Sequence, residues 1–124
     1  MGRTCIKKTK KSFRDEEHLS HHQNQGAELA GNYLTRLGAD AELIERVKHL
    51  ISHHEVGGDE DQNLLMDADS LSFVENNAPI FIKKLQKVGY DNIREKFDWM
   101  YHRISSKKAK LLVKSFYEKM IREL

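Results

Sequence analysis

Histidine and carboxylate side chains carry most of the chemistry this sequence can offer, and they are clustered. Six of the seven histidines, His18, His21, His22, His49, His53 and His54, fall between residues 15 and 80. That stretch also carries fourteen acidic residues against three basic ones. Imidazole nitrogens and carboxylate oxygens together suit divalent metals, so a cation held here is one reading. The other is electrostatic. Residues 1 to 14 carry six bases and no acids, and residues 81 to 124 carry twelve bases against five acids, so unlike segments can neutralise each other across solvated faces.

Helical periodicity gives directions to the histidines. Over residues 15 to 37 the positions Leu19, Gly26, Ala30, Tyr33 and Leu37 recur at helical spacing, and Gly38 follows as a C-cap. His22 fills the gap in that stripe, which predicts an inward ring with His18 nearly beside it and His21 on the polar side. In a second helix, capped by Asp40 and stopped by Gly57-Gly58, the stripe Leu43, Val47, Leu50 continues at His54. His53 follows His49 and Arg46 on the wet side. An inward imidazole without a partner costs on the order of 1–3 kcal/mol. A metal would satisfy it, and so would a backbone carbonyl or a carboxylate. A third helix, residues 60 to 75, sets Asp67-Ala68-Asp69 among Leu64, Leu65 and Leu71. On the helical wheel Asp67 and Asp69 flank the apolar centre about equally, so periodicity does not choose between them.

These helices need others to pack on. Pro79 suits the first turn of a short fourth helix carrying Ile82 and Leu85 and ending at Gly89. Asp91 is the expected cap of a fifth, with the stripe Ile93, Phe97, Met100 and Ile104. Ser105 is the expected cap of a sixth, which puts Ala109, Leu112, Val113, Phe116 and Met120 on one side. The expected architecture is all-α, a compact bundle of about six helices over residues 15 to 124, preceded by a mobile basic arm over residues 1 to 14. Cys5 is the single cysteine, and it has no helical histidine near it to activate a thiolate. No leader and no apolar run of about 18 residues is present, so the expectation is a soluble protein of the cytoplasm with no membrane partner.

Several segments together resemble the HD superfamily of metal-dependent phosphohydrolases. They are His22 with Gly26-Ala27-Glu28-Leu29-Ala30, then Leu50-Ile51-Ser52-His53-His54-Glu55, then Leu64-Leu65-Met66-Asp67-Ala68-Asp69-Ser70-Leu71. The likeness is strongest to small prokaryotic HD proteins with a His-Glu-x-Gly-Gly step, an Ala-Asp-Ser segment and a Trp-Met-x-x-Arg helix. Here those are His54-Glu55-Val56-Gly57-Gly58, Ala68-Asp69-Ser70 and Trp99-Met100-Tyr101-His102-Arg103. The resemblance implies an HD-like fold and a divalent cation (Mn, Mg, Fe, Co, Ni or Zn) that activates water to hydrolyse a phosphate ester, often a nucleotide. It implies His22, His54 and Asp69 as metal ligands, with His53 joining a paired-histidine site and Asp67 as an outer partner that orients an imidazole.

The His-Asp dyad that names the superfamily does not occur in this sequence. The resemblance therefore also implies an inactive or truncated relative, whose incomplete domain exposes apolar faces and either self-associates into a homo-oligomer or is unstable. Arg103, Lys83 and Lys84 are candidates for a substrate's phosphates, or belong to a solvated face. The alternative function is a non-catalytic helical binding module. Its basic arm and basic C-terminal helix would take nucleic acid or an acidic protein, with strong salt dependence and no need of His22 or His54.

Overall fold

The computed structural model describes residues 15–84, 87 and 89–124, and these are all-helical, with no strand among them. Helix α1 (Glu16–Arg36) opens on Asp15, whose carboxylate accepts from the His18 backbone N–H. Glu16 and Glu17 in its first turn face the positive end of the helix dipole. The helix stops at Leu37, followed by Gly38 at a φ of 75°. Helix α2 (Ala41–Ile51) folds back on α1 as a helical hairpin.

The face that α1 buries differs from the expected stripe. Leu19, Gln23, Ala27 and Gly31 are buried, while Tyr33, Leu37 and the His22 ring are exposed. Steric fit decides this. Gly31 and Gly26 face α2: a Cβ at Gly31 would come within 2.8 Å of the Lys48 stem, and one at Gly26 would meet Ile51 at 3.4 Å. The larger apolar side chains are turned out instead.

Helix α2 ends three residues earlier than its periodicity suggests. The chain turns after Ile51, with the Ser52 hydroxyl donating to the His49 carbonyl and Gly57 taking a φ of 76°. His54 and Glu55 therefore sit in a turn and not on a helix.

Helix α3 (Glu60–Ser72) begins with a capping box between Asp59 and Gln62. The buried Gln62 amide also donates to the His49 carbonyl, which ties the start of α3 to the end of α2. Arg46 with Asp61 and His49 with Asp59 pair across the same junction. No break precedes Asn76-Asn77. The helix widens into a π-helical turn over Phe73–Asn77, where the Ala78 N–H bonds to the Phe73 carbonyl, and runs on into α4 (Ala78–Lys83). Pro79 has no N–H and its ring crowds the carbonyl four residues back, so a widened turn just before it absorbs the mismatch.

Helix α5 (Tyr90–His102) starts after Gly89, and Asp91 lies in its first turn and is not the cap. Helix α6 (Lys107–Glu123) is capped by Ser106, whose hydroxyl accepts from the Ala109 N–H. The core is built on the second half of the chain, from Phe73, Val74, Ala78, Ile93, Phe97, Met100, Ile104, Ala109, Val113 and Met120. Ile93 and Phe97 are wholly buried, as their stripe predicts. Leu112 and Phe116, expected on the inner side of α6, are exposed, and Tyr117 packs inward in their place.

Ser105 is free of capping because it serves a different contact. The buried Asp67 carboxylate accepts from the Ser105 N–H at 2.8 Å, the Ser105 hydroxyl at 2.9 Å and the Ser106 N–H at 3.1 Å. Asp67 thus pins the turn between α5 and α6 to α3, and is not an outer partner of a ligating histidine. Asp67→Ala would leave those donors unpaired at a buried joint, and is expected to lower unfolding free energy by about 2–4 kcal/mol. Urea unfolding with an unchanged m-value checks it, and a midpoint like that of the parent chain would contradict it.

Candidate metal centre

His22 projects from the second turn of α1 toward the turn that follows α2. Its ring centroid lies 6.2 Å from that of His54, and His18 stacks one turn earlier at 6.4 Å. Ligand atoms of His22, His54 and Glu55 all lie within 4.8 Å of one another, and these residues form a candidate cation site among the described residues.

His54 and Glu55 are oriented by the chain around them. His54 Nδ1 lies 2.6 Å from the Ile51 carbonyl oxygen, to which it donates, so Nε2 is the nitrogen turned to the cluster. That Nε2 is 3.3 Å from a Glu55 carboxylate oxygen. The Glu55 backbone is fixed on both sides: its N–H donates to the buried Gln23 side chain at 2.9 Å, and its carbonyl accepts from Arg103 at 2.9 Å. The second carboxylate oxygen of Glu55 also accepts from Arg103, at 3.0 Å.

Arg103, at the end of α5, is the hub. Besides Glu55 it donates to the Ser70 hydroxyl at 2.7 Å and to the Asp69 carboxylate at 2.6 Å, and its guanidinium lies over the Trp99 ring. Its side chain is only 7% exposed. The charges respond to one another. The hydrogen bond from His54 holds the Glu55 carboxyl down at about 2, against its partial burial and with help from Arg103. The same bond raises the His54 imidazole, with the Ile51 carbonyl and the nearby Asp69 acting the same way and burial opposing.

A cavity of about 170 Å³ opens beside the cluster, lined by His18, Leu19, His22, Glu55, Lys96 and Trp99. The Lys96 ammonium lies 5.3 Å from the Trp99 ring centroid and 5.7 Å from that of Phe73. Burial lowers its pKa.

A family model described as a domain of unknown function (DUF4202) matches residues 6–124. The chain belongs to the DUF4202 family. The matched span takes in most of the stretch expected as a basic arm, residues 1 to 14, which lies outside the described residues. No curated protein and no solved structure matches this DUF4202 chain. No helix among its described residues is long and apolar enough to cross a membrane.

The DUF4202 chain brings together only some of the residues its sequence nominates. His22 and His54 converge. Asp69, expected as the terminal carboxylate ligand, is bonded to Arg103 and stands outside the cluster, where Glu55 supplies the acid. His53 is exposed, its ring against the Ser52 hydroxyl at 3.0 Å, and is not in the cluster. Arg103, expected at a substrate's phosphates, is bonded instead to Glu55, Asp69 and Ser70. Lys83 and Lys84 are exposed at the end of α4 and do not line the cavity.

Glu55 and Lys96 are the residues that periodicity misses. A helix continued through His54 would splay neighbouring side chains by about 100°, whereas the turn lets His54 and Glu55 converge. Lys96 did carry a signal: it lies three residues after Ile93 and four before Met100, on the flank of the α5 stripe.

Proposed function

We propose that this DUF4202 chain holds a divalent cation on His22, His54 and Glu55, and that it is an HD-type phosphohydrolase-like protein acting on a phosphate ester or nucleotide. One observation carries the reading: two imidazoles and a carboxylate, from α1 and the turn after α2, converge beside a cavity that also presents a lysine.

The donor set fits a cation. Metal–nitrogen and metal–oxygen bonds of about 2.0–2.2 Å put neighbouring ligand atoms roughly 3–4 Å apart, so separations within 4.8 Å close by small side-chain rotations. The Ile51 carbonyl fixes the His54 tautomer, an outer contact typical of metal-bound histidine. Glu55 is already ionised and braced by Arg103. Two imidazoles and one carboxylate favour Zn, Fe, Co or Ni over Mg. Three protein ligands leave positions for water and substrate. A cation bound there lowers the pKa of its water toward neutrality and neutralises charge on phosphoryl oxygens. The protein's own part is to hold His54 and Glu55 in place, to bring His22 beside them, and to wall the cavity with Trp99 and Leu19.

The test is a calorimetric titration of metal-stripped protein with Co2+ and Zn2+, using Mg2+ as comparator. His22→Gln and His54→Gln are each expected to weaken Co2+ binding at least about tenfold while thermal unfolding of the metal-free protein stays near that of the parent. Unchanged affinity in both variants would sink the assignment. The loaded protein is then assayed for phosphate release from an aryl phosphate.

A further inference from the structure

His22 stands beside two other imidazoles at nearly equal distances. Its ring centroid is 6.2 Å from that of His54, a member of the candidate centre, and 6.4 Å from that of His18, one helical turn earlier. Residues four apart on an α-helix share a face, and two histidines at that spacing can close on one metal ion. The cavity sets the side on which they would do so. His18, His22 and Glu55 all border the same space of about 170 Å³, so the His18 ring opens onto the space that two of the three donors already line.

We propose that His18 is a fourth donor to the His22–His54–Glu55 centre, so that the cation is held by three imidazoles and one carboxylate. The assignment rests on the metal reading above. Ligand atoms around one ion lie roughly 3–4 Å apart, and the His18 and His22 planes are nearly parallel, 14° apart, so the two rings must tilt toward each other as the ion enters. His18 is exposed, and exposed side chains change rotamer readily.

A third imidazole changes which ion the site prefers. Imidazole suits Zn, Fe and Ni, whereas Mg and Mn suit oxygen donors, and affinity climbs along the divalent series from Mn2+ to Ni2+. His18 therefore biases the centre toward Ni2+, Co2+ and Zn2+ and away from Mn2+. A six-coordinate ion with four protein donors still keeps two positions for water and an anion. His21 supplies the comparison. It lies about 100° round the helix from His22 and lines a separate surface pocket with His18 and Asn24.

Calorimetric titration of metal-stripped protein with Ni2+ and Mn2+ at about pH 8, above the ordinary imidazole range, tests the fourth donor without relying on turnover. His18→Gln is expected to weaken Ni2+ at least about tenfold and Mn2+ less than about threefold, which shrinks the preference for Ni2+. His21→Gln should move neither by more than about twofold. The visible absorption of bound Co2+ should shift in His18→Gln and stay unchanged in His21→Gln, a difference that a merely structural role for residue 18 would not produce. Metal-free His18→Gln should unfold at the temperature of the parent, because the ring is exposed. Parent-like Ni2+ affinity and Co2+ absorption in His18→Gln, with binding still weakened by His54→Gln, overturn the fourth donor and leave the three-donor centre standing. A loss in His21→Gln as large as that in His18→Gln also overturns it, because the ion would then sit in the outer pocket. Absence of Ni2+ and Co2+ binding by the parent protein overturns both readings.

Discussion

Arg103→Met is expected to destabilise the folded chain by about 3–5 kcal/mol, because it breaks a buried ionic network from its centre. The guanidinium bonds the Glu55 carbonyl and carboxylate, the Asp69 carboxylate and the wholly buried Ser70 hydroxyl. A methionine can fill the space over Trp99, but it offers none of those acceptors a donor. The ionised Glu55 would then keep His54 as its hydrogen-bonded partner in a partly buried site, with Lys96 acting on it through space. Arg103→Lys keeps the charge but not the fork, since one ammonium cannot reach four acceptors on three residues, so most of the loss should remain. Asp69→Asn is the control. Its carboxylate is about half exposed, and exposed ion pairs contribute roughly 0–1 kcal/mol, so its effect should be small. Folded proteins have only about 5–15 kcal/mol to lose, which makes the Arg103 effect visible as a large drop in the urea midpoint. A midpoint for Arg103→Met equal to that of Asp69→Asn would show that the network does not hold the fold.

The same residue shows where sequence reading succeeds and where it stops. Gly38, Pro79 and the stripe Ile93, Phe97, Met100 are legible because each obeys a local rule of backbone or periodicity. The all-helical class follows from them. Rotation of α1 about its axis is a different kind of fact. It depends on how closely α2 can approach, and Gly31 bears on that by being small, a property an apolar stripe does not weigh. His22 and His54 are found as a pair, yet the expected route through buried helical faces does not hold. His22 reaches the cluster from an exposed position and His54 from a turn. The choice between Asp67 and Asp69 could not be made locally at all. Asp67 turns to the backbone N–H groups of residues 105 and 106 and Asp69 to Arg103, partners more than thirty residues away.

Co2+ affinity is expected to rise with pH, by up to about tenfold per unit while His54 must lose a proton to bind, and to level off above the raised pKa of that imidazole. The cause is the Glu55 hydrogen bond, which favours the imidazolium form and lifts His54 above its ordinary 6.5. In metal-free protein the pair works as an ion pair with a defined window. The part owed to His54 is fully present below pH 6.5 and is lost as pH rises through its raised folded value. The part owed to Glu55 is present above its ordinary 4.5 and is lost as pH falls toward about 2. Metal-free protein should therefore draw most from the pair between those ordinary values, and lose some stability toward higher pH. Loaded protein should do the reverse on the alkaline side, because Nε2 without its proton is the form that ligates, and each added increment of affinity stabilises the folded state. Calorimetry in buffers of different ionisation enthalpy reads the proton released per Co2+ bound. Glu55→Gln removes the main cause of the His54 shift, so its proton release at about pH 6.5 should fall, although affinity falls too through loss of a ligand. A Co2+ affinity that is flat across the His54 titration, with no proton released, would mean that Nε2 does not bind the ion.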